Sequence, residues 1–258
     1  MGIGTLCWYI EELLHLASTA LLVQQGYRDE TFGMPLMGLV LNISWSFWFG
    51  FYVKNVGWWE NLNFWVELVL LGQTLFYGPK EFFDGQQKLP FYGLVCLLMV
   101  PSLGLVKAVI DEQGRRFAHN QLFYVIFLIS SMQYVPFILS RGSARGQNVA
   151  ATVCRSVAVL FSWFYQPHAV TGWLCFATLL SDGLYFCLLI LCLERPQLFE
   201  LWRNFLVPSV AQNNHPSQGQ HRNPLLDGNP MTDHDSGEMT YEFQSPPPPS
   251  TMPMSSGL

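Results

Sequence analysis

The chain has 258 residues, half of them apolar, 15% aromatic and only 12% charged. Soluble domains carry about 25% charged residues, so this deficit excludes an ordinary soluble enzyme and points to a polytopic membrane protein. The formal charge of −5 says little about partners, because acids of a polar tail contribute much of it; no nucleic-acid partner is expected.

Seven apolar runs follow one another, at about Thr5–Gln24, Pro35–Val53, Leu62–Tyr77, Phe91–Ile110, Gln121–Leu139, Val149–Tyr165 and Val170–Leu193. No water reaches backbone groups in the hydrocarbon, so such runs must be helices. The amino end has neither a basic region nor a small-residue cleavage site, and no cleaved signal is expected. The first run carries Glu11, Glu12 and His15. Glu11 and His15 lie one turn apart, but two ligands do not make a metal site; a polar patch facing the bundle is the expectation, and no metal is expected.

The second run holds Asn42, Trp45 and Ser46 among many aromatic residues. Asn42 is one turn before Ser46 on the same face, placed to hydrogen-bond a polar head group or a neighbouring helix. Ring faces stabilise nearby cations by about 0.5–2 kcal/mol each, which makes mid-helix Trp45 and Tyr185 pocket candidates. Trp58 and Trp59 read as an interfacial belt. The third run carries Glu67, with Thr74 on the same face two turns later. Glu67 is a candidate second carboxyl, or else a group at the aqueous edge beside Glu60 and Asn63. In the fourth run Lys107 is near enough to the helix end to snorkel.

Arg155 lies too centrally in the sixth run for that, so a carboxylate partner is expected. The last run carries Asp182 near its middle. A carboxylate there costs roughly 2.5–3.5 kcal/mol on insertion scales, and desolvation favours the neutral acid, which has a proton to give. Asp182 is therefore the candidate general acid; the alternative is a buried ion pair with Arg155. The six cysteines form no CxxC pair and sit mostly inside apolar runs, where they read as small apolar fillers.

An odd number of crossings puts the termini on opposite sides. Arg28, Lys80, Lys88, Arg141, Arg145, Arg195, Arg203 and Arg222 fall on one side, against Lys54, Arg115 and Arg116 on the other. This bias predicts a cytosolic carboxyl terminus. From about Pro208 the chain is rich in Asn, Gln, Ser and Pro, including Pro246 to Pro249. It cannot bury enough apolar surface to offset chain entropy, so disorder is expected there. No P-loop, GxSxG, HExxH, dinucleotide turn or DDxxD motif is visible.

Four stretches carry a resemblance: Gln25-Gly26-Tyr27-Arg28-Asp29-Glu30-Thr31-Phe32-Gly33-Met34-Pro35-Leu36 leading to Asn42-Ile43-Ser44-Trp45; Phe64-Trp65-Val66-Glu67-Leu68; Ser140-Arg141-Gly142-Ser143-Ala144-Arg145-Gly146-Gln147; and Asp182-Gly183-Leu184-Tyr185. In order and spacing they resemble the small integral-membrane terpene cyclases of fungal meroterpenoid and indole-diterpene pathways, the paxilline and pyripyropene cyclase type. The resemblance spans about Gly4 to Leu193. It implies a seven-helix fold and cyclisation of a prenyl chain on a polar head group, started by protonation of a terminal epoxide. Two carboxyl groups are central in that family, one directly after the second-helix Trp and one in the last helix. Here Ser46 stands where the first would be. A hydroxyl donates a hydrogen bond but is no strong acid at neutral pH. Three outcomes stay open: Asp182 acting alone or with Glu67, a different substrate, or lost cyclase activity.

The sequence therefore predicts an all-α seven-transmembrane bundle over 1–207 with a disordered cytosolic tail over 208–258. The expected function is a proton-initiated, metal-independent terpene cyclase of lyase or isomerase type, in the endoplasmic reticulum, without cofactor. Asp182 and Glu67 are the catalytic candidates; Asn42, Trp45, Ser46, Arg155 and Tyr185 are the substrate-binding ones. Expected partners are a prenylated small molecule, the bilayer and pathway enzymes in the same membrane. The rival is a diverged seven-helix transporter, sensor or scaffold.

Overall fold

The structure is a computed structural model that describes residues 2–53, 58–82, 88–165 and 169–207; the predicted tail lies outside them. Among the described residues every regular element is helical. We number them α1 (Ile3–Arg28), α2 (Leu36–Phe47), α3 (Trp58–Phe82), α4 (Lys88–Gln113), α5 (Phe123–Arg141), α6 (Val149–Tyr165), α7 (Ala169–Glu194) and α8 (Pro196–Leu206). A π-helical turn, Trp48–Tyr52, extends α2, and a second, Ala118–Leu122, leads into α5.

Five of the seven apolar runs fall inside one of these helices; Pro35–Val53 covers α2 with its π-turn and one residue beyond each end, and Gln121–Leu139 begins in the π-turn before α5. Four helices, α1, α4, α5 and α7, are long and apolar enough to cross a membrane, and Leu36–Tyr52 and Val149–Phe164 are shorter apolar helices. The polar groups Glu60, Asn63, Glu67 and Gln73 interrupt the apolar surface of α3. Prolines 79, 101 and 136 lie inside helices, as membrane helices tolerate when neighbours satisfy the freed backbone groups. The eighth helix was not foreseen. Pro196 opens it at the first turn, where a missing N–H costs nothing.

Helices in lipid gain little from the hydrophobic effect and associate through close packing and small residues. α2 and α5 meet at Gly38, where an added Cβ would lie 3.1 Å from Ser130 Oγ. α1 and α6 meet where Ser18 Oγ donates to the Ala151 carbonyl at 2.8 Å. Leu39, Ile43, Leu70, Tyr134, Ile138, Tyr185 and Leu189 fill the centre of the bundle. A second cluster packs Trp45 and Phe49 against Val106, Ile110 and Ile126. At the α4 end Lys107 is exposed and paired with Asp111, in keeping with a snorkelling lysine.

At the opposite end two loops are clasped together. Gln147 Nε2 donates to the Gly33 carbonyl at 2.9 Å, Arg145 to the Asp29 carbonyl at 2.8 Å, and Arg141 to the Phe32 carbonyl at 2.9 Å. Asp29 accepts in turn from the Gly146 N–H at 2.6 Å. Gly142 ends α5 in the left-handed conformation (φ 67°), the usual C-terminal stop. This clasp joins the ends of α1 and α5 to the starts of α2 and α6, and so fixes the four helices around the site.

Candidate active site

A narrow cavity of about 60 Å³ runs inside the bundle. α1 contributes Glu12 and His15 to its wall, α2 Asn42, Trp45 and Ser46, α3 Glu60, Asn63 and Glu67, α5 Phe127 and Tyr134, and α6 Arg155. Five predicted site residues, Asn42, Trp45, Ser46, Glu67 and Arg155, thus share one wall-to-wall space. Asp182 and Tyr185 do not line it; both lie behind Arg155.

Asp182 is completely buried. Arg155 Nη2 donates to its Oδ1 at 2.6 Å, while Arg155 Nε at 3.3 Å and Ser156 Oγ at 3.4 Å reach Oδ2. Both oxygens are occupied, and the fork-shaped pairing is the geometry in which arginine and a carboxylate bind best. Of the two readings of Asp182 open in the sequence, the ion pair is the one the geometry displays. The guanidinium also lies 4.0 Å from the Tyr134 ring centroid and 5.7 Å from that of Tyr185. The two tyrosine rings are 5.0 Å apart, and the Tyr185 hydroxyl donates to Gln147 Oε1. Asp182, Arg155, Tyr134, Tyr185 and Gln147 therefore form one chain, from mid-bundle to the loop clasp.

Glu67 differs. It is 8% exposed, its Oε2 has no hydrogen-bond partner, and the Ser46 hydroxyl is in hydrogen-bonding contact with its carboxyl. A buried polar atom left without a partner is uncommon and marks a strained or functional group. Farther along, Asn63 Nδ2 donates to Glu12 Oε2 at 3.3 Å. Glu60 Oε2 is buried without a partner, and Glu11 accepts from Ser162. A pocket of about 20 Å³ among Glu11, Glu12, Glu60 and Trp45 adjoins this end, with room for about one water.

The aromatic walls are close-set. Trp45 stacks on Phe49 at 3.9 Å and lies 5.4 Å from Phe123, and His15 lies 4.2 Å from Phe127. Asn42 reaches the Met34 sulfur at 4.0 Å. Trp58, by contrast, is 63% exposed, as an interfacial anchor should be. One cavity thus brings together a carboxyl with a partner-free oxygen, a cation held by an ion pair, and aromatic side chains.

Sequence reasoning missed Glu60 and Tyr134 as wall residues. Glu60 sits beside Trp58 and Trp59 and reads there as an aqueous-edge group, although it is 4% exposed. Tyr134 carries no signal of its own in an apolar run; its packing against the Arg155 guanidinium exists only in the folded bundle.

The Pyr4-like transmembrane terpene cyclases match the chain over residues 3–195. The chain is 26% identical to "Terpene cyclase atmB" of Aspergillus flavus over 206 residues, 72% of this chain and 80% of that protein. It is also 26% identical to "Terpene cyclase penB" of Penicillium crustosum over 188 residues, 67% of this chain and 72% of that one. No solved structure matches it. A family match that runs from α1 through α7, on a cavity walled by carboxyl and aromatic groups, places the chain among the Pyr4-like transmembrane terpene cyclases.

Proposed function

We propose that the protein cyclises an epoxidised prenyl chain carried on the polar head of a meroterpenoid or indole-diterpene precursor, and that Glu67 donates the starting proton. The observation that carries this reading is the contrast between two carboxyl groups. Glu67 lines the cavity and keeps one carboxyl oxygen without a hydrogen-bond partner, whereas both oxygens of Asp182 are taken up by Arg155 and Ser156.

In the proposed reaction the Glu67 proton passes to the epoxide oxygen and the C–O bond at the more substituted carbon breaks. Alkenes of the folded chain then attack in turn, each closing a ring and moving the positive charge. Loss of one proton to a carboxylate ends the cascade, so substrate and product are isomers and no cofactor is consumed. Trp45, Phe123, Phe127 and Tyr134 present ring faces to the travelling cation. Asp182 acts through Arg155 as a positioning residue, holding the guanidinium at the wall, where its remaining donors meet a carbonyl or hydroxyl of the head group. At about 60 Å³ the resting cavity accommodates a few waters, so the prenyl chain itself parts the walls on binding.

The protein is proposed to cross the membrane of the endoplasmic reticulum seven times, with its carboxyl end cytosolic. The second reading is a diverged, non-catalytic member of the family, which Ser46 in place of a carboxyl favours. Microsomal turnover of epoxy-farnesyl and epoxy-geranylgeranyl precursors separates the possibilities. Wild type should give cyclised product, and Glu67→Gln should lower kcat by about 10²-fold or more, the usual contribution of a positioned acid. Full activity in Glu67→Gln with loss in Asp182→Asn transfers the donor role to α7. Absence of product from wild type on either chain length supports the non-catalytic reading.

A further inference from the structure

Away from the catalytic cavity, a second and larger one of about 530 Å³ opens at the clasped end of the bundle. Lys80 from the end of α3, Arg141 from the end of α5, and Arg145 with Ser140 and Ser143 line it. Glu81 is the one acidic side chain of its lining, and it is neutralised by Arg141. Arg141 is moreover fixed in place. It donates to the Phe32 and Arg145 carbonyls at 2.9 Å, and its guanidinium lies 4.7 Å and 4.4 Å from the ring centroids of Phe32 and Phe137.

With the Arg141–Glu81 pair closed on itself, Lys80 and Arg145 supply two positive charges without an acidic counterpart in the lining. Both side chains are exposed. Arg145 spends one amino group on the Asp29 carbonyl, and the Lys80 ammonium rests 5.5 Å from the Phe76 ring. A phosphate is the group that such a pair, flanked by the Ser140 and Ser143 hydroxyls, recognises.

The depth of the cavity follows from its neighbour. α8 sits at the same end, with Arg203 packed against Gly142 and Phe199 buried. Its other face exposes Leu201 at 66%, Trp202 at 49% and Phe205 at 78%. A helix with one apolar face uncovered, joined directly to a membrane-crossing helix, lies in the interface plane with that face toward the acyl chains. The cavity therefore opens at head-group level. Phe76, one turn from Lys80 and 67% exposed, lies where an acyl chain would run.

We propose that the Lys80–Arg145 cavity binds the phosphate of an anionic membrane phospholipid, with α8 as the interfacial helix that sets its depth. Anionic lipids are concentrated in the cytosolic leaflet, the side to which the basic residues assign this end. The proposal is independent of which carboxyl starts the cyclisation.

The test uses the full chain in phosphatidylcholine nanodiscs, with phosphatidic acid as probe and native mass spectrometry as readout. Wild type should retain phosphatidic acid through delipidation. The single variant Lys80→Gln should bind it about fivefold more weakly with an unchanged unfolding midpoint in phosphatidylcholine, and the double variant Lys80→Gln/Arg145→Gln at least about tenfold more weakly, as loss of one and of two surface cations predicts. Lys107→Gln, at the opposite end, should bind like wild type. Equal retention in the double variant, or equal retention of phosphatidylcholine by wild type, overturns the proposal. Displacement of the lipid by millimolar inorganic phosphate shows a free-phosphate site and overturns the lipid assignment.

Discussion

Ser46 stands on α2 where the resemblance implies a carboxyl, and its hydroxyl meets the carboxyl that α3 supplies at Glu67. A serine there leaves room for the longer glutamate from the neighbouring helix and gives it one donor. Ser46 is thus the partner that orients Glu67 while Oε2 stays free. A hydrogen bond to a side chain contributes about 1 kcal/mol net. Ser46→Ala should accordingly lower kcat by about fivefold, with KM for the epoxide little changed. Steady-state kinetics on microsomes checks this, and an unchanged kcat reduces Ser46 to a space-filling role. The same scale explains what the sequence could and could not disclose. Asp182 and Arg155 were both legible as intramembrane charges, because any such charge needs a partner. Which of the two carboxyls keeps a free oxygen was not legible, since it depends on the side-chain distances between α2, α3, α6 and α7.

Among the elements, the clasp of two loops explains why glycines recur in the quoted stretches. Gly146 has φ 72°, and an added Cβ would come within 2.7 Å of Thr31 Cγ2 and 2.9 Å of the Phe32 carbonyl oxygen. A non-glycine residue in this conformation costs roughly 1–2 kcal/mol, and the backbone oxygen cannot swing away as a flexible side chain does. Gly146→Ala should therefore destabilise the protein by more than about 2 kcal/mol and lower its unfolding midpoint in detergent. A midpoint equal to wild type would show that the loops do not fasten the helices. These stretches were legible as a pattern, but their purpose was not. Tyr185 and Gln147 were read as separate motif members, yet the hydroxyl of one donates to the other. The helix α8 escaped notice for a different reason: its apolar residues Leu198, Leu201, Trp202 and Phe205 have helical spacing, but the run is far short of a bilayer span.

Across the whole molecule, charge is divided between the two ends. Glu11, Glu12 and Glu60 gather toward one end of the bundle. Arg28, Lys80, Arg141, Arg145 and Arg203 lie toward the other, where the loop clasp and α8 are found. Buried carboxyls facing a cavity suit proton delivery, while the basic end suits the negative surface potential of the cytosolic leaflet. The division therefore predicts the direction of crossing. The proposed seven crossings would place Ser140 in the cytosol and Gln113, at the end of α4, in the lumen; both are exposed. The measurement is labelling with a membrane-impermeant maleimide on sealed microsomes, after replacement of the six native cysteines. Ser140→Cys should react at once, and Gln113→Cys only after permeabilisation. Reaction of both without permeabilisation would mean that an even number of crossings separates them, and α5, the long helix between them, would no longer span. Reversal of the pattern would keep the seven crossings but put the acidic end in the cytosol, with the proton then drawn from that side.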